Sequence, residues 1–130
     1  MARILVVDDQ PHMTHIVAKT LGRIGHDVVR ACDGADALER LRAEPFDLLI
    51  SDVDMPRMDG LTLVRHRDVV DRLRAVVMLT GRCDFDDLGL EYCAEKIHSL
   101  PKPFSPSRLV QLIERLLLQD DSSIEATATV

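Results

Sequence analysis

Tryptophan is missing from this chain, and Phe and Tyr bring the aromatics to only 3% of its 130 residues, so a core must be built from aliphatic side chains. Basic charge is short as well: 16 Lys and Arg stand against 22 Asp and Glu, a net charge of −6. That balance argues against direct nucleic-acid binding, because displacing counterions from phosphates needs a positive surface. No apolar run approaches the ~20 residues needed to cross a bilayer, so no membrane span is expected. Cys32, Cys83 and Cys93 are odd in number, lack metal-ligand spacing and follow no secretory leader; a reducing, cytoplasmic setting fits them best. His12 and His15 share a helical face, but no third ligand accompanies them at metal spacing, and they are read as solvated.

What the sequence does contain is 46% hydrophobic and 29% charged residues, the balance of an ordinary globular protein, in a length suited to one domain. Arg3-Ile4-Leu5-Val6-Val7 is an unbroken apolar run that stops at Asp8-Asp9, as a strand buried on both faces of a parallel sheet would. Met13, Ile16, Val17, Thr20, Leu21 and Ile24 then recur at helical spacing, with Pro11 suited to a first turn and Gly25 to a stop. The alternation continues. Residues 27–31 read as a strand, and Asp33-Gly34 opens a helix whose inner face is Ala37, Leu38 and Leu41. Residues 46–52 are a strand, 61–72 a helix, 75–80 a strand, 84–94 a weak helix and 96–100 a poor strand. Ser105-Pro106 caps an apolar last helix. Five strand–helix units with right-handed crossovers predict an α/β fold, a three-layer flavodoxin-like (βα)5 sandwich with a five-stranded parallel sheet in the order 2-1-3-4-5. The domain is expected over residues 1–119, with 120–130 a disordered tail.

The stretch from Asp47 to Gly60 carries the chemistry. Its apolar run ends at Ser51-Asp52, and a Pro and an Asp-Gly pair follow, which puts Asp52 at a strand's C-terminal tip. Ligands of open α/β sheets bind there, at the point where strand order reverses. The predicted order sets the first and third strands side by side and so brings Asp8 and Asp9 beside Asp52. Three carboxylates repel, and either raised pKa values or a bound cation relieves the cost. Mg²⁺, or Mn²⁺ in its place, is the natural occupant of an all-oxygen site and bridges readily to phosphate. Asp52 is then expected to be a nucleophile that accepts a phosphoryl group, with Thr80 and Lys102, each just past another strand, binding its oxygens.

Asp8-Asp9, Asp52 with Met55-Pro56 and Met58-Asp59-Gly60, Thr80, and Lys102-Pro103-Phe104 together resemble the receiver domain of two-component response regulators, over roughly residues 3–119. The resemblance implies that Asp52 is the phosphoacceptor, that Asp9, Asp52 and the backbone carbonyl of Asp54 ligate Mg²⁺, and that Asp8 acts through water. It implies a phosphohistidine donor on a sensor histidine kinase or a histidine phosphotransfer protein. Output would pass to an effector protein through the fourth helix, the fifth strand and the last helix, from a stand-alone regulator or an excised receiver, without turnover of an external substrate. Receivers carry Tyr or Phe three residues before the lysine as part of their switch; Ser99 stands there in this chain. Asp54 and Arg82 occupy positions that modulate phosphate lifetime in this family.

Other readings compete for single motifs. Asp8-Asp9 could merely cap the first helix. Asp52-Val53-Asp54 also resembles the Asp-x-Asp of haloacid-dehalogenase-type phosphatases, although it falls on the third strand and no cap domain is present. A receiver fold that binds partners without phosphorylation is the third option, kept open by Ser99. Excess leucines on the last helix, notably Leu112 and Leu118, suit either deep burial or a docking or homodimer surface.

Overall fold

The computed structural model describes residues 2–53, 55, 58–80 and 95–129, with side chains described as far as Leu118. Five parallel strands, β1 (Arg3–Val7), β2 (Asp27–Ala31), β3 (Leu48–Asp52), β4 (Ala75–Leu79) and β5 (Ile97–Leu100), form one sheet in the order β2-β1-β3-β4-β5. The helices are α1 (Pro11–Gly22), α2 (Gly34–Ala43), α3 (Gly60–Val64), α4 (Arg67–Val70) and α5 (Pro106–Thr129). The helix expected over 84–94, with Cys83 and Cys93, lies outside the described residues.

Side-chain alternation along each strand divides the core in two. Ile4, Val6, Leu48, Ile50, Ala75, Val77 and Leu79 point to one face, where Val17 and Leu21 of α1 and Leu109, Ile113 and Leu116 of α5 cover them. Leu5, Val7, Leu49, Val76 and Met78 point to the other, beneath Ala37, Leu38 and Leu41 of α2 and Leu63, Val64, Val69 and Val70 of α3 and α4. Every residue of β4 is buried, which is why its sequence reads as a continuous apolar run. Burying each of these aliphatic side chains contributes about 1.5–3 kcal/mol, so the absence of Trp is made good by number.

Three local features differ from the sequence reading. The single helix expected over 61–72 is two short ones, with His66 extended between them (φ −81°, ψ 90°). Val64 and Val69 are five positions apart, off the helical repeat, and the next turn of an unbroken helix would bury Arg67 or Asp68. Restarting at His66 buries Val69 and Val70 instead. In α1 the buried stripe is Thr14, Val17 and Leu21, while Ile16, and Ile24 in the turn after the helix, are 44% and 42% exposed. Thr14 can be buried because its hydroxyl donates to the Pro11 carbonyl (3.0 Å) and accepts from Arg30 Nε (3.1 Å). Finally, α5 continues to Thr129, through the stretch expected as a tail; no Gly or Pro follows Pro106 to stop it.

Gly25, at φ +95°, ends the α1 turn as expected. Ser105 Oγ accepts the Arg108 N–H at 3.2 Å and caps α5. No helix among the described residues is long and apolar enough to cross a membrane.

Candidate functional site

Strand register builds the site. Val7 pairs with Ser51, so Asp8, one residue further, comes level with Asp52. Asp52 in turn pairs with Leu79, which puts Thr80 one step beyond it, and Leu79 pairs with Leu100, two residues before Lys102. Four strand ends therefore deliver Asp8, Asp9, Asp52, Thr80 and Lys102 to the C-terminal edge of the sheet.

Carboxylate oxygens of Asp8, Asp9 and Asp52 lie within 4.8 Å of one another. Asp8 is buried, Asp52 half-buried and Asp9 exposed, so the cluster opens toward solvent on the Asp9 side. Asp8 does not cap α1. The N-cap is Gln10, which makes no side-chain cap bond, and Asp8 Oδ1 accepts the Gln10 N–H at 3.0 Å. Its other oxygen accepts from Lys102 Nζ at 3.1 Å, and the same ammonium stands 3.3 Å from Asp52 Oδ2. Lys102 is thus brought into the acid cluster itself, where the sequence reading had placed it as a ligand for phosphate. Partial burial lowers its pKa, but the hydrogen bond and charge of Asp8 and the charge of Asp52 outweigh that, and the net direction is up. Three carboxylates against one ammonium leave a net charge of −2 in the cluster. A hard divalent cation matches both that residual charge and the all-oxygen donor set.

Thr80 is half-buried at the end of β4, where its N–H donates to the Leu100 carbonyl at 3.1 Å. Ser99 sits within β5 opposite Met78 and contributes to a groove of about 400 Å³ with Leu100, Arg108, Gln111, Leu112 and Arg115. Asp54 and Arg82 lie outside the described residues. His12 and His15 are exposed on α1, and Cys32 is an exposed free thiol.

In the sequence Asp33-Gly34 reads as a helix start and Asp59-Gly60 as a tight turn that also starts a helix. Each glycine follows an aspartate that caps its own helix: Asp33 accepts from Asp36 N (2.8 Å) and Asp59 from Thr62 N (2.7 Å). Both glycines are buried, Gly34 against Met58 and Gly60 against Ser51 and the Asp52 carbonyl at the end of β3. The repeated Asp-Gly pair was the available signal; the contact between the two helix starts was not readable from it.

A family model described as the response regulator receiver domain matches residues 4–114. The response regulator receiver protein CpdR of Brucella abortus is 36% identical over 121 residues, 91% of this chain and 98% of that protein. The alkaline phosphatase synthesis transcriptional regulatory protein PhoP of Bacillus subtilis is 33% identical over 92% of this chain, which spans 50% of PhoP. The solved chemotaxis protein CheY4 of Vibrio cholerae matches with a TM-score of 0.77 and 31% identity, over 89% of this chain and 98% of that one. The receiver domain of the hybrid histidine kinase CckA matches with a TM-score of 0.73 and 30% identity, over 88% and 98% of the two chains.

Proposed function

The chain belongs to the response regulator receiver family of two-component signalling, and from that premise we propose that Asp52 is its phosphoacceptor and that residues 1–119 form the receiver unit. The observation that carries this reading is the convergence of the Asp8, Asp9 and Asp52 carboxylate oxygens within 4.8 Å, with Lys102 bridging Asp8 and Asp52, at the switch point of the sheet. Asp9, Asp52 and the Asp54 carbonyl would hold Mg²⁺ or Mn²⁺. Asp8, with both oxygens already engaged by Gln10 and Lys102, would act through water. The metal supplies charge neutralisation to the transferring phosphoryl group when bound.

An Asp52 oxygen attacks the phosphorus of a phosphohistidine. A P–O bond forms, the P–N bond breaks, and the electron pair leaves on the imidazole nitrogen, which takes up a proton. Lys102 can follow the charge from carboxylate to phosphoryl oxygen, and the Thr80 hydroxyl can donate to another. The donor is a sensor histidine kinase or a histidine phosphotransfer protein in the cytoplasm. Output runs to an effector protein through the β5 and α5 face, where Leu118 is 64% exposed and offers an apolar contact to an effector or a second copy. Ser99 leaves that face without the aromatic part of the usual switch, and Asp54 and Arg82 are assigned to phosphate lifetime.

The phosphatase reading is not favoured, since the family match spans the receiver pattern from β1 to α5. Acetyl phosphate and p-nitrophenyl phosphate separate the two. A receiver forms about one hydroxylamine-labile acyl phosphate per chain with the first and shows no sustained turnover of the second. Steady release of p-nitrophenol, abolished by Asp52→Asn, would establish the hydrolase.

A further inference from the structure

We propose that Gly34, on α2, is a positioning residue for Asp52, acting through Met58 and the Gly60 turn that abuts the Asp52 backbone; this rests on the phosphoacceptor reading above. A methyl group at Gly34 would lie 2.7 Å from Met58 Cβ and 2.9 Å from its carbonyl carbon, and closer still to its carbonyl oxygen. No real side chain tolerates such distances from backbone, so the loop rests on the bare start of α2. That start is stiff: Asp33 caps it at 2.8 Å, and Ala37, Leu38 and Leu41 anchor the helix in the core.

The other end of the loop is fastened by the same means. Gly60 N–H donates to the Val53 carbonyl at 3.0 Å, and a methyl on Gly60 would stand 2.5 Å from the Asp52 carbonyl oxygen and 3.1 Å from Ser51 Oγ. Gly60 is therefore fastened to the end of β3 and Met58 to the start of α2, and the α2 contact comes from a distant part of the chain. A side chain at position 34 must lift Met58 away from α2. Asp59 and Gly60 then shift with it, and so does the Gly60 contact with Val53 and the Asp52 backbone beside the Asp9 and Asp52 carboxylates. Gly34 touches neither metal nor phosphate and acts through Met58. A ligand set displaced by a fraction of an ångström binds a small octahedral ion much less well, because Mg²⁺ demands near-ideal geometry.

The test compares Gly34→Ala with Gly22→Ala, whose added methyl meets nothing within 4 Å. Mg²⁺ is titrated calorimetrically into each full chain, and exchange of the Gly60 amide is followed by NMR. The expected result is about a tenfold rise in the Mg²⁺ Kd for Gly34→Ala at unchanged stoichiometry, with faster Gly60 exchange, while Gly22→Ala matches wild type. A wild-type Kd in Gly34→Ala overturns the inference. So does a reduced stoichiometry at wild-type Kd, the signature of a partly unfolded sample. If Gly34→Ala does not fold, Met58→Gly, which loosens the loop without adding atoms against α2, must show the same weakened binding; unchanged binding overturns the proposal. If wild type takes up no Mg²⁺, the metal reading falls, and Gly60 exchange decides on Gly34: faster than in Gly22→Ala sustains the seat, equal rates reject it.

Discussion

At the N-terminal edge of the sheet, Arg3 of β1 reaches Glu44 and, at 3.3 Å, Asp27, with its guanidinium 4.9 Å from the Phe46 ring centroid, while Arg74 stands 3.9 Å from Asp47. At the C-terminal edge, three carboxylates gather with one lysine, which pairs with two of them, Asp8 and Asp52. The first group is half-exposed and mixes both signs along the rim, so water screens it and it fastens strand ends at little cost. The second is recessed and unbalanced, with Asp8 1% exposed. A fold whose only need was stability would not gather surplus acid in its less hydrated end, where repulsion is least screened. The same sheet thus separates a charge arrangement that closes on itself from one whose surplus acid could hold a cation.

That contrast can be broken at either end. The largest effect is expected from Lys102→Ala, which removes the one positive charge that the described residues place in the acidic cluster. Without metal it should lose about 2 kcal/mol of stability, discounted for the partial exposure of the lysine, and Mg²⁺ should restore it. Because the competing ammonium is gone, Mg²⁺ should bind about tenfold tighter by calorimetry. Weaker Mg²⁺ binding would mean that Lys102 serves the metal site and does not compete with the metal.

A smaller effect is expected at the basal edge from pH. His26 Nδ1 accepts the Ala2 N–H at 3.0 Å, which requires a neutral imidazole. Burial, joined by the positive chain terminus and opposed by Glu114, holds its pKa below 6.5 in the fold. The folded value is depressed, so this contribution is complete above about pH 6.5 and is lost as pH falls through the folded value. His98, lowered by burial and by Arg115, adds in the same direction. Urea midpoints should fall between pH 7.5 and pH 5.5, and His26→Gln should show a shallower fall; identical slopes would remove His26 from the account. The smallest effect belongs to Arg3→Met, expected to lower the thermal midpoint by a few degrees at low salt, a deficit that shrinks in ~1 M salt. A salt-independent loss would assign Arg3 to packing on Phe46 instead.

The fold was legible from sequence to the extent that burial on both faces produces continuous apolar runs. β1, β3 and β4 announce themselves in that way, and their order follows from alternation with helices. The acids of the site were legible because each stands immediately after such a run. Features that depend on what lies opposite were not. The break at His66 reflects which side chains face α2, and the burial of Thr14 depends on Arg30 from a neighbouring element. Lys102 showed in the sequence as a cation at the mouth, but its seat between Asp8 and Asp52 appears only when the four strand ends of β1, β3, β4 and β5 are assembled. The Gly34 contact with Met58 joins residues far apart in the chain, and no periodicity encodes it.

Intact-mass spectrometry after incubation with acetyl phosphate and Mg²⁺, on wild type and Asp52→Asn, tests the central claim most directly. Wild type should gain one phosphoryl mass, lost on chelation of the metal before incubation, and Asp52→Asn should gain none. An unmodified wild type, or an undiminished adduct on Asp52→Asn, would contradict the assignment of the acid cluster as a phosphorylation site.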